Sequence, residues 1–149
     1  MTRLHLSRFG EVAQLVEHTA ENRGVAGSIP ALAILVTDER DFKRLVGDAL
    51  DELPPPIRKE MTNVAVVVED EPPPGANLLG LYQGIPLTRR GAGYAGALPD
   101  KITIYRGPLE RYYGGDPRRL AREVRRVVRH EIAHHFGISD ERLVEIDRY

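Results

Sequence analysis

Phe42, Leu45, Val46, Ala49, Leu50 and Leu53 fall at i, i+3, i+4, i+7, i+8 and i+11, the spacing of a single apolar face on an α-helix. Thr37 or Asp38 can cap its start, and Pro54, Pro55 and Pro56 stop it. Val64 to Val68 is a valine-rich run flanked by Thr62-Asn63 and Glu69-Asp70, which predicts a strand buried on both faces. Leu78 to Tyr82 predicts another strand, interrupted by Gly80. The Gly/Pro-rich stretch from Gly84 to Pro99 predicts a loop, long enough to invite a functional role. Between Lys101 and Arg106, Ile102 and Ile104 alternate with Thr103 and Tyr105, as in a strand with one buried face, and Gly107-Pro108 ends it. Asp116-Pro117 then gives an N-cap and a proline at the first helical position, opening a helix that runs to Gly137. Leu120, Ala121, Val124, Val127, Val128 and Ile132 share one side of that helix, and Arg118, Arg119, Arg122, Arg125, Arg126 and Arg129 the other.

Residues 12 to 31, VAQLVEHTAENRGVAGSIPA, hold neither the period of a strand nor that of a helix. Back-translation offers a different origin. Val12 to Glu17 read as GTA GCT CAG TTG GTA GAG spell the D-arm of a tRNA gene, and Gly27 to Pro30 as GGT TCG ATT CCC its T-arm. Codons can also be chosen for His18 to Gly24 that close an anticodon stem around GAA, the phenylalanine anticodon. Residues 1–36 are therefore expected to be disordered read-through of a tRNA gene, outside the domain, with an ordinary disordered arm as the alternative. The domain is expected to span 37–149, with the genuine start at Val36 read as GTG.

The chain has 149 residues, 21 Lys+Arg against 22 Asp+Glu, and a net charge of -1, so no overall field favours nucleic acid or a membrane surface. Without aromatic residues among them, the arginines read as a solvated helix face, and no nucleic-acid partner is expected. The absence of cysteine excludes disulfides and thiolate metal sites, which leaves nitrogen and oxygen to hold any metal. No apolar run approaches the roughly 20 residues of a membrane span, and no apolar h-region follows Arg3 and Arg8. A cytoplasmic protein with no membrane partner is expected.

The chemistry lies in His130-Glu131-Ile132-Ala133-His134, an H-E-x-x-H motif inside the last long helix. Residues at i and i+4 stand one turn apart on the same side, so two imidazoles can converge on one ion. Glu131, beside them, is placed to reach a water on the metal rather than the metal itself. Gly137 can take a positive φ, end the helix and turn the chain back, so that Asp140 reaches the same ion as third ligand. Asp140 is alternatively an N-cap for a short helix from Glu141 to Ile146, with Glu141 or Glu145 as substitute ligands. Two histidines and a carboxylate leave a fourth position open for water, the mark of a catalytic zinc rather than a structural one. His135 points about 100° away from His134 and is expected to be a satisfied core histidine.

The chain resembles a family of small bacterial zincin-like metallopeptidases with a minimal zincin fold. The resemblance spans about residues 38–149 and rests on LLGLYQGIPLTRR (Leu78 to Arg90), LPDKITIYRGPL (Leu98 to Leu109) and VVRHEIAHHFGISDERL (Val127 to Leu143). It implies an α+β fold, a small sheet packed on the N-terminal helix and the H-E-x-x-H helix. It also implies Zn2+ on His130, His134 and Asp140, Glu131 as catalytic base, and a peptide or protein substrate that it does not identify. Metzincins share part of the pattern, but no methionine follows Met61, which rules out their Met-turn. In such clefts peptide adds as a strand to a sheet edge, and Lys101 to Arg106 is the expected edge. Tyr105, Tyr112 and Tyr113 are expected to pack rather than to stabilise an oxyanion. The expected function is zinc-dependent peptide hydrolysis, with a catalytically silent metal-binding scaffold as the alternative.

Overall fold

The computed structural model describes residues 13–17, 38–94 and 98–146. The strands among them are β1 (Ala13–Glu17), β2 (Val64–Glu69), β3 (Gly80–Gln83) and β4 (Asp100–Tyr105). They form one sheet in the order β1-β2-β4-β3, with β1, β2 and β4 parallel and β3 antiparallel to β4. The helices are α1 (Glu39–Asp51), α2 (Pro55–Glu60), α3 (Arg106–Tyr113), α4 (Pro117–His135) and α5 (Asp140–Ile146). Phe42, Val46, Ala49 and Leu50 of α1, Val64, Val66 and Val68 of β2, Ile102 and Ile104 of β4, Leu109 of α3, and Leu120, Val124, Val128 and Ile132 of α4 make one apolar core. This is the expected α+β arrangement, a small sheet packed on an N-terminal helix and the H-E-x-x-H helix.

Several elements differ from the sequence reading, each for a local reason. The prolines at 54–56 end α1 but also begin α2, because a helix's first turn needs no N–H from Pro55 and Pro56. Pro108 plays the same part in α3, which follows β4 directly. β4 lies between β2 and β4's antiparallel neighbour β3, so it is not an edge, and Thr103 and Tyr105 are buried along with Ile102 and Ile104. The free edge on this side of the sheet belongs to β3.

The expectation for residues 1–36 meets a further difference at Ala13–Glu17. This segment pairs in parallel with β2, in register from Ala13 with Val64 to Glu17 with Val68. Without β1, that edge of β2 would present unpaired backbone N–H and C=O groups, a template for any short extended segment. The rest of 1–37 lies outside the described residues.

Candidate metal centre

Helix α4 owes its start to Asp116, whose carboxylate accepts from the N–H groups of Arg118 (2.9 Å) and Arg119 (3.2 Å). Its end is a Schellman motif. Ile138 N–H donates to Ala133 O (3.0 Å), Gly137 N–H donates to His134 O (2.9 Å), and Gly137 takes a φ of 81°. The left-handed glycine returns the chain, so α5 begins beside the last turn of α4. Ser139 takes the capping position, its hydroxyl accepting from Arg142 N–H at 3.4 Å. Asp140 is thereby left to face the histidines.

His130 Nε2, His134 Nε2 and Asp140 Oδ1 form a nearly equilateral triangle, with separations of 3.1 Å between the two rings and 3.0 and 3.1 Å to the carboxylate. The group is half-buried at the histidines and exposed at Asp140. His134 Nδ1 stands 2.9 Å from Ile138 O, a partner that only accepts, so this nitrogen carries the proton and Nε2 turns a lone pair towards the triangle. Such separations suit either a proton shared between a ring and the carboxylate or a cation held by all three. Tetrahedral donors at the Zn–N distance of about 2.0–2.1 Å stand about 3.3 Å apart, so the triangle is close to the size a zinc ion requires. Among the described residues, these three are the group of donors that could hold a metal ion. Of the substitutes considered for Asp140, Glu145 pairs instead with Arg142 at 2.7 Å.

Glu131 lies on the inner side of the same turn and is only 6% exposed. Burial pushes its carboxyl above the usual range, while His130, His134 and the backbone N–H of Tyr82, which donates to it, act in the other direction. β3 reaches it because of Gly80. A Cβ on that residue would come within 2.7 Å of Val127 Cγ1 and 2.8 Å of Glu131 Oε1. The interruption read from the sequence as a defect in the strand is what lets β3 lie against the helix at Val127 and Glu131.

Behind this centre lies a buried polar cluster that the spacing of residues did not reveal. Asp100, 2% exposed at the start of β4, receives the Tyr82 hydroxyl (2.8 Å), the Arg90 guanidinium, the Ile85 N–H (3.3 Å) and His135 Nδ1 (2.9 Å). His135 is fully buried, edge-on to Tyr82 and Phe136, the satisfied core histidine expected. The Tyr82 hydroxyl is raised well above its ordinary pKa by burial and by Asp100, so it stays a donor. Arg90 also donates to Ile85 O (2.9 Å) and lies over the Tyr94 ring, which fastens the 84–94 loop to the end of α4. One signal was available: a histidine in the middle of an apolar face must find a polar partner, and Asp100 opens an apolar strand. Of the other tyrosines weighed, Tyr105 is buried and Tyr112 is exposed.

No described helix is long and apolar enough to cross a membrane. No curated protein matches the chain. Residues 61–149, which carry β2 to β4, α3, the H-E-x-x-H helix and α5, match the family model of zincin-like metallopeptidases. With the match extending over more than half its length, the chain belongs to the zincin-like metallopeptidase family.

Proposed function

We propose that the protein is a zinc-dependent peptidase in which His130, His134 and Asp140 hold the ion and Glu131 is the general base. The observation that carries this reading is the triangle of donors 3.0–3.1 Å apart with a buried, raised-pKa carboxyl on the adjoining residue. A zinc ion held by these three residues would supply Lewis acidity, polarising a carbonyl and making a bound water more acidic. Glu131 accepts the proton of the attacking water and returns it to the departing amine. Its poise for this exchange comes from burial, and its direction from the Tyr82 N–H. The Ile138 carbonyl holds the His134 ring in the tautomer that presents Nε2.

Metal analysis of the purified protein alongside a broad peptide library tests the reading. About one zinc per chain and cleavage of some peptides are expected. Glu131→Gln should keep the zinc and lose at least 10²–10⁴-fold in rate. Full zinc with no peptide cleaved would favour the silent scaffold instead.

A further inference from the structure

The outer face of α4 is more than a solvated stripe. Arg122, Arg125, Arg126 and Arg129 line a groove together with Glu52 and His130, and Leu143 of α5 borders it. The groove therefore begins at a donor of the metal triangle. Four guanidinium groups face a single carboxylate in the lining. Glu52 meets Arg125 through Nε at 3.1 Å and Arg129 through Nη2 at 3.6 Å, and Arg126 is met by Glu123 through Nε at 2.8 Å. Each guanidinium offers five N–H donors in a fork, and these contacts engage one nitrogen apiece. Arg122 has no carboxylate partner among the described residues.

We infer that this groove is a subsite for acidic side chains of a peptide substrate, an inference that rests on the peptidase reading above. Arg122, Arg126 and His130 stand at i, i+4 and i+8, in one row along α4. At about 1.5 Å per residue, Arg126 lies about 6 Å and Arg122 about 12 Å along the axis from His130. An extended peptide advances about 3.3 Å per residue, so those distances correspond to about two and about four residues from the bond being cut. Side chains two apart point the same way from an extended chain, so Glu or Asp at both positions would face the two arginines together. A polyanionic nucleic acid is the poorer fit, because no aromatic residue lines the groove and the whole chain carries a net charge of -1.

The test uses fluorogenic peptides identical except for Glu, Gln or Lys at the two positions two and four residues from the cleaved bond, on either side. On the zinc-loaded protein, kcat/KM for the Glu peptide should exceed that for Gln by about tenfold at low salt, and that for Lys by more, since each exposed ion pair contributes a few-fold. Added salt should erase the difference. In Arg122→Glu/Arg126→Glu, at two exposed positions, the order of Glu and Lys should reverse. Fluorescence anisotropy of the same labelled peptides on Glu131→Gln gives a binding readout that needs no hydrolysis and should show the same order. Equal cleavage and equal binding of all three peptides would overturn the subsite and leave the peptidase reading intact. Cleavage of none, with Glu-selective binding, would sustain the groove and count against the peptidase. Tighter binding of a single-stranded oligonucleotide of equal charge would overturn the inference in favour of nucleic acid.

Discussion

His134 and His135 are neighbours in sequence and face different surroundings. The first turns Nε2 to the donor triangle, and the second is closed in the core on Asp100. His130→Ala or His134→Ala should therefore abolish zinc binding, whereas His135→Ala should keep the stoichiometry and lower the unfolding temperature, both read from metal analysis and a thermal melt. Equal zinc loss in all three would overturn the ligand assignment. Asp100→Ala should cost about 3–5 kcal/mol in denaturant unfolding, because Arg90 and His135 are then left buried without their anion. A cost below about 1 kcal/mol would mean that the cluster is not a single unit. The histidines and Glu131 were legible because helical spacing alone brings i and i+4 together, and Asp140 because a glycine turn follows. The partners of Asp100 were not, since residues 82, 85, 90 and 135 meet it only through the pairing of β3 with β4 and the packing of α4.

The long amphipathic helices were legible as elements, α1 from the apolar row between Phe42 and Leu50 and α4 from its Asp-Pro start and Gly stop. Short α2 and α3 were hidden because proline in a first turn has the same signature as proline after a last one. β4 looked half-exposed because Thr103 and Tyr105 are residue types that either face accepts, and only the arrival of β3 along its outer side makes it central. The tightest demand falls on Gly80. Gly80→Val forces β3 away from Val127 and Glu131, at about 1–3 kcal/mol of stability. Because the Tyr82 N–H moves with the strand, kcat should fall further than zinc affinity does, and a peptide assay beside a zinc titration separates the two. Unchanged kcat would show that the contact of β3 with Glu131 is only packing.

Among the described residues, the buried side chains run from Phe42 to His135, so the core begins well before Met61, where the family match starts. A chain beginning at Met61 loses Phe42, Val46, Ala49, Leu50 and Leu53. At about 1.5–3 kcal/mol per large buried side chain, that exceeds what a domain of about 5–15 kcal/mol total stability withstands, and it should not fold. The opposite is expected of residues 1–36 if, as we propose, they are translated tRNA gene. Their described contribution is β1, an edge strand whose hydrogen bonds, worth about 0.5–1.5 kcal/mol each, are offset by about 1–2 kcal/mol of backbone entropy per residue fixed. On backbone terms alone the two contributions are of similar size. A chain beginning at Thr37 should accordingly melt within about 5 °C of the full-length protein and retain its zinc. A fall of more than about 10 °C would show that β1 is part of the domain. The coding DNA gives a second check, since it should fold on paper into a phenylalanine tRNA cloverleaf across Val12 to Ala31. If it does not, the segment was written as protein, and its place beside β2 needs a functional explanation.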